Sequence, residues 1–256
     1  MDAVELDRVN RLVLRKQHLA DDSRTDDVVQ IANDLIGLHA TGTKEPYLAL
    51  FARSRNFAKE QLEDELYTKK TLVKIRCMRG TLHILTREML PVAHAATRAN
   101  VEKFSRRYAE FSGTSAKEYA ELARMILALL EHRAMTATEI KASLGMQASL
   151  SAALNLMCDQ GLLVRLQRGA GWGGGNYRYA SFTDYFWGVD LARYSEAEAI
   201  ALLVTKYLAS FGPATEEDIA WWTGIGKAKV RAALGAIKKH TARMSINGLE
   251  GDFIIL

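Results

Sequence analysis

Cysteine, proline and long apolar runs are all scarce in this chain. Its two cysteines, Cys77 and Cys158, stand far apart among 256 residues. They are too few for a disulfide framework or a cysteine zinc site, so a reducing cytoplasm is expected. The six histidines, His18, His39, His83, His94, His132 and His240, never pair at ligand spacing, which speaks against a metal site. The longest apolar runs, such as MILALL at 125–130, are far too short to span a bilayer. The opening MDAVELDRVNRLVLRK is charged throughout and has no secretory apolar region. With only three prolines, 48% hydrophobic and 25% charged residues, the composition is that of a soluble globular protein of two or three small domains.

Acidic residues are missing locally as well. From Gly224 to Ser245 the chain carries Lys227, Lys229, Arg231, Lys238, Lys239 and Arg243 and no acid. From Leu162 to Ala180 it carries Arg165, Arg168 and Arg178, again with no acid. The net charge of +4 is modest. One-sign stretches of this kind are the electrostatic footprint of a protein that binds nucleic acid.

What is present is a repeat. LLEHRAMTATEIKASLGMQASLSAALNLMCDQGLLVRLQ, from Leu129, and LASFGPATEEDIAWWTGIGKAKVRAALGAIKKHTARMSI, from Leu208, share one grammar. Thr136 and Thr215 are expected N-caps, with Glu139 and Asp218 three residues on completing capping boxes. A short helix then ends at Gly145 or Gly224, suited to a left-handed turn. The next helix has apolar residues at helical spacing: Leu150, Ala153, Leu154 and Met157 in one copy, Val230, Ala233, Leu234 and Ile237 in the other. Strand-like segments separated by a glycine-containing loop follow, LLVRLQ and NYRYASF in one copy, TARMSIN and DFIIL in the other. Helix-turn-helix followed by a hairpin is a winged helix, whose second helix would enter a DNA groove.

The first third follows the same scheme less regularly. RTDDVVQIANDLIGLHA and TKEPYLALFARSR read as its two helices, with Thr43 as cap of the second and Pro46 in its first turn. EQLEDELYTKK adds a helix before the strands LVKIRCM and TLHIL, and a long helix leads onward. The expected fold is therefore mostly α with small β-hairpins (α+β), in three tandem winged-helix domains over 1–115, 116–190 and 191–256. His39-Ala40-Thr41 falls in the turn of the first, and the glycine-rich wing in the second.

Other candidates are weighed by context. Arg79, before Gly80, either clamps a phosphate or ties strand to helix. His83 shares a strand face with Thr81 and is expected to be a satisfied, half-buried histidine. RGAGWGGGN, 168–176, runs into a strand and not a helix, so it fails as a nucleotide-binding loop. It reads instead as a wing tipped by Trp172, which either wedges against DNA or folds back onto the body. Trp221 and Trp222, an aromatic pair on one helix, read as packing between domains in preference to base stacking.

GLHATGTKEPYLALFAR, VKIRCMRGTLHIL and SFGPATEEDIAWWTGI resemble, in family order, the tandem winged-helix family of the AlkZ and YcaQ alkylpurine DNA glycosylases, over about residues 6 to 250. The resemblance implies a monofunctional hydrolase that cuts the N-glycosidic bond of N7- or N3-alkylated purines, or of bulky adducts, in DNA repair. Its partner would be double-stranded DNA carrying damage; no cofactor and no membrane are implied, and a cytoplasmic, nucleoid-associated monomer is expected. Glycosylases of that family hold the attacking water with a glutamine, an apolar residue, then a glutamine or an acid. Here His39, Ala40 and Thr41 stand at those positions, so the apolar centre is kept and both flanking residues differ. Family members usually continue into a further C-terminal domain, whereas DFIIL is read as the second strand of the third wing.

A cationic alkylpurine leaves as a neutral base, so the catalyst has mainly to position water and stabilise an oxocarbenium-like transition state. A neutral His39 can take a proton from that water, as imidazole titrates near ~6.5 when unperturbed. Thr41 has one hydroxyl but lacks the reach of glutamine. Alternatively, His39 caps helix carbonyls or contacts phosphate without chemistry, and the protein binds DNA as a regulator or an inactive family member. Residues expected at DNA are Lys44, Arg53, Arg79, Arg165, Arg168, Trp172, Arg178, Lys227, Lys229, Arg231 and Lys238.

Overall fold

A computed structural model describes residues 4–113, 115–166 and 177–256. The chain forms two compact units. The first gathers 1–73, 77–97 and 191–256, so the first and last thirds share one body; the second comprises 74–76 and 98–190. The third segment is thus joined to the first and does not stand as a separate globule.

In the first unit, helix α1 (Leu6–Lys16) leads to α2 (Val28–Asp34), whose N-cap Asp27 accepts from the amides of Val29 and Gln30. The sequence reading continued α2 through His39. The helix instead ends at Asp34, and Leu38–His39 is a short strand, β1. The cause is local: Ile36 and Gly37 both take positive φ, 55° and 99°, and turn the chain back. A Cβ on Gly37 would lie 2.4 Å from Leu85 Cδ2 and 2.9 Å from the Ile84 carbonyl, so only glycine lets the turn close onto the sheet. Helix α3 (Glu45–Phe51) has Pro46 in its first turn as expected, but Lys44 and not Thr43 occupies the N-cap. Helix α4 (Lys59–Glu63) continues as a π-helical turn over Asp64–Thr68.

Strands β2 (Leu72–Arg76) and β3 (Leu82–Thr86) complete a three-stranded sheet in the order β1-β3-β2, with Leu38 opposite Ile84 and His39 opposite His83. Ile31, Leu35, Leu38, Ala40, Leu50, Leu62, Leu72 and Ile84 form its core. The long helix α5 (Met89–Phe111) follows.

The second unit contains α6 (Ala116–Leu129), strand β4 (Met135–Thr136), α7 (Ala137–Ser143) and α8 (Ser151–Asp159). Strands β5 (Leu163–Arg165) and β6 (Arg178–Ser181) lead into the single-turn α9 (Phe182–Tyr185). Its sheet has three strands, β4-β6-β5, where the sequence suggested a two-stranded hairpin. Leu150, Ala153, Leu154 and Met157, chosen by helical spacing, all lie in its core.

The rest of the first unit is α10 (Glu196–Phe211), α11 (Glu216–Thr223), α12 (Lys227–Ala236) and the hairpin β7 (Ala242–Ile246) and β8 (Leu249–Ile255). The capping boxes at Thr136–Glu139 and Thr215–Asp218 form as expected, and Gly224 closes α11 in the left-handed region. Val9 of α1 packs against Ile246 and Phe253 of the last hairpin, joining the two ends of the chain. Helix-turn-helix followed by strands therefore occurs three times, an α+β winged-helix architecture. No helix among the described residues is long and apolar enough to cross a membrane.

Candidate active site

His39 owes its exposure to strand alternation. Leu38 and Ala40 point into the core, and His39 between them points out. Its side chain is 42% exposed and that of Glu45 is 49% exposed. His39 Nε2 lies 3.2 Å from Thr41 Oγ1, and His39 Nδ1 lies 3.2 Å from Glu45 Oε2. The Leu82 amide donates to Thr41 Oγ1 at 3.3 Å, and the Gly42 amide donates to Glu45 Oε2 at 2.6 Å. With its oxygen engaged by Leu82, the Thr41 hydroxyl is free to donate to Nε2. One tautomer satisfies every contact: Nδ1–H donates to the carboxylate, and Nε2 carries the lone pair beside Thr41.

Glu45 was not singled out in the sequence, where it reads as an ordinary acid in the first turn of a helix. Two signals were available: the spacing from Gly42 to Glu45, that of an acid folding back onto a free amide, and the glycine itself. A Cβ on Gly42 would sit 2.7 Å from Glu45 Oε1 and 2.8 Å from its Cδ, so this glycine leaves the room the carboxylate occupies.

Behind His39 the rings form a chain. The His83 ring meets His39 edge-on at 5.4 Å and 83°, and Trp222 stands 6.4 Å beyond it. His83 is buried, more deeply than the half-burial expected from sequence. Burial pushes its imidazole down to about 4; the Thr81 carbonyl opposes this, while His39 and Arg79 add to it. His83 is therefore a neutral neighbour. Trp222 packs with Tyr207 and Phe211 of α10. Trp221, expected to be packed, is 70% exposed and lies under the Arg79 guanidinium, 4.8 Å from its ring centre.

The residues expected at DNA separate into groups. Lys44, beside the His39 cluster, and Lys238 are exposed and make no salt bridge to a described residue. Arg79 is exposed on the same corner as His83. Arg53 is half-buried and donates to the Ala49 carbonyl at 2.9 Å, closing off its own helix end. Arg165 is a correction: it is buried in the second unit and donates to Asn155 Oδ1 at 2.8 Å, so it has no open face for a phosphate. Arg178 is exposed but pairs with Glu139 at 3.4 Å. Arg168 and Trp172 lie outside the described residues.

The acid-free stretch of the third segment is also not one-signed in space. Lys227 pairs with Glu217, Lys229 with Glu196 at 2.6 Å and Arg231 with Glu216 at 2.7 Å, acids supplied by α10 and α11. Both cysteines are free and buried, and burial pushes the Cys77 thiol up to about 12 and Cys158 to about 11. Neither is a nucleophile at neutral pH. Among the described residues no group of His, Cys, Asp and Glu is arranged to hold a metal ion.

Comparison with known proteins bears on this geometry. The fold matches a solved structure of the Streptomyces sahachiroi DNA glycosylase AlkZ with a TM-score of 0.82, over 100% of this chain and 70% of that one, at 18% identity. No curated protein sequence matches the chain. The family described as DNA glycosylase AlkZ-like matches residues 32–250, which spans the His39 cluster, the middle unit and the last winged helix. The chain belongs to the AlkZ-like DNA glycosylase family.

Proposed function

We propose that the protein is a monofunctional DNA glycosylase that hydrolyses the N-glycosidic bond of N7- or N3-alkylated purines in double-stranded DNA, acting as a monomer. The observation that carries this reading is the oriented chain from Thr41 through His39 to Glu45. Water takes the place at Nε2 that the Thr41 hydroxyl holds in the resting site. Its oxygen attacks C1′ as the C1′–N bond breaks, the bonding pair leaves with the purine, and the water proton passes to His39 Nε2. Glu45 stabilises the resulting imidazolium and fixes which nitrogen faces the water; Thr41 orients the water. The purine is already cationic and departs neutral, so the reaction asks for no acid on the leaving group and no cofactor. No lysine stands in the motif to form an imine. Lys44, at the edge of the cluster, is assigned to phosphate.

A duplex carrying one N7-methylguanine, followed by alkaline cleavage under single-turnover conditions, tests the reading. His39→Ala should lower the excision rate at least about a hundredfold, the usual yield of a positioned base, while DNA affinity changes little. Glu45→Gln still accepts from Nδ1–H but no longer neutralises the imidazolium, and should lower the rate about tenfold or more. Gly42→Ala, which pushes the Glu45 carboxylate out of its place, should resemble Glu45→Gln. An unchanged rate in His39→Ala would refute the assignment. Complete inactivity of the parent, on bulky N7 adducts as well, would favour the competing reading, a DNA-binding protein without catalysis. In that case the mutual pairing of His39, Thr41 and Glu45 is the purpose of the corner.

A further inference from the structure

The more exposed tryptophan of α11 is held against Arg79, a neighbour of His83. Trp221 is 70% exposed, on a helix whose neighbouring residue Trp222 is packed against His83, Tyr207 and Phe211. A single exposed ring is ordinary by itself; what sets Trp221 apart is the cation held over it. One face of the ring is covered by Arg79, whose guanidinium carbon lies 4.8 Å from the ring centre. The other parts of the ring remain open.

Arg79 reaches this position through an unfavourable backbone. Its φ of 55° and ψ of 18° lie in the left-handed region, which a residue with a Cβ rarely adopts. The turn between β2 and β3 fixes that conformation: the Gly80 amide donates to Cys77 at 2.8 Å, and the Thr81 amide donates to Met78 at 3.1 Å. The third segment presses against it. A Cβ on Gly224 would lie 2.9 Å from the Arg79 amide nitrogen and 3.0 Å from its Cα, so glycine alone permits this approach. The stack is thus preorganised from both sides, by a strained turn on the first winged helix and a glycine on the third. Arg79 also lies close enough to His83 to depress its imidazole, which places the pair at the edge of the ring chain leading to His39.

We propose that Trp221 and Arg79 form a stacking platform for a DNA base next to the nucleotide being attacked, with the tryptophan ring against the base and the guanidinium on the adjoining phosphate. This rests on the reading of the protein as one that acts on a base in duplex DNA. An exposed aromatic face paired with a cation suits an unstacked base of any sequence, since every base has a π-face and every linkage a phosphate. A site that takes one nucleotide out of the helix leaves its neighbour without a stacking partner. A rigid, half-covered indole replaces that partner at little entropic cost.

The test is equilibrium binding to two duplexes of the same sequence, one intact and one with a single tetrahydrofuran abasic site that exposes the neighbouring base. The parent should bind the abasic duplex about tenfold or more tightly, the effect of one stacked base. Trp221→Ala should lose that preference while binding the intact duplex as before, and Trp221→Phe should keep most of it. Arg79→Ala should lower the slope of log affinity against log salt by about 0.9 on either duplex. Thermal melts should be unaffected by Trp221→Ala, because the side chain is largely in water. Equal affinity of the parent for both duplexes, or equal weakening of both by Trp221→Ala, would overturn the proposal. Excision does not enter these measurements. An inactive parent with Trp221-dependent discrimination would sink the glycosylase reading alone, and an active parent without discrimination would sink the platform alone.

Discussion

At the scale of single residues, the two facing histidines of the first sheet have opposite surroundings. His39 looks outward to a carboxylate and a hydroxyl. His83, directly opposite in the sheet, is enclosed by the strand turn and Trp222 and stays neutral down to about pH 4. An imidazole in the unfolded chain takes up its proton near ~6.5. The folded value is the lower one, so between the two the unfolded chain binds more protons than the folded one. The stability tied to His83 is complete above ~6.5 and falls as the pH drops toward about 4, by about 3 kcal/mol in all. His83→Gln removes this titration. Denaturant unfolding of the parent should therefore weaken more steeply than that of His83→Gln between pH 7 and about pH 4.5, and parallel curves would contradict the assignment.

At the scale of elements, the second unit is tied together by a charge that no motif announced. Asp159, the last residue of α8, is buried and accepts from Arg76 of β2 at 2.8 Å and from Ser105 of α5. Arg165 of β5 lies close enough to add to its field. Burial nevertheless pushes the carboxyl above the ordinary range, so the two arginines and Ser105 offset only part of its desolvation. Such a cluster adds little net stability when intact and costs much when broken. Asp159→Ala leaves Arg76 without its ion-pair partner and the buried Arg165 without a neighbouring negative charge, and should destabilise the unit by about 3 kcal/mol in denaturant unfolding. A loss below about 1 kcal/mol would mean that the arginines re-solvate freely, as surface pairs do. The same cluster explains why Arg165 is unavailable to DNA: its strand position points inward, toward Asn155 and Asp159.

At the scale of the whole molecule, the relation to DNA depends on which cations keep their charge free. Lys227 and Lys229 already have Glu217 and Glu196 as counter-ions, whereas Lys44 and Lys238 make no salt bridge to a described residue. Each free cation that meets a phosphate releases condensed counter-ions and steepens the salt dependence by about 0.9. Lys44→Ala and Lys238→Ala should each flatten the log–log slope by about that amount. Lys227→Ala and Lys229→Ala should flatten it by distinctly less, since part of their charge is spoken for. A full 0.9 at Lys227 would show that it exchanges its glutamate for phosphate.

Local rules of the chain were enough to place much of this fold. The threonine caps with acids three residues on, the left-handed Gly224 and the apolar spacing on α8 and α12 act within a few residues of one another, so the repeated helix-turn-helix was legible directly. His39 and Thr41 also stand out in the sequence as candidates, because they interrupt an apolar pattern. What they touch was decided elsewhere. His39 sits on a strand because Gly37 fits against Leu85 and Ile84, nearly fifty residues away in sequence. Charge was the least legible property, since a run without acids says nothing about acids folded beside it, and Glu196, Glu216 and Glu217 arrive from other helices. Trp221 and Trp222 are adjacent and chemically alike. Only the packing of α11 against the first sheet and α10 sets one, half-buried, against His83 and leaves the other exposed under Arg79, because successive helical residues face about 100° apart.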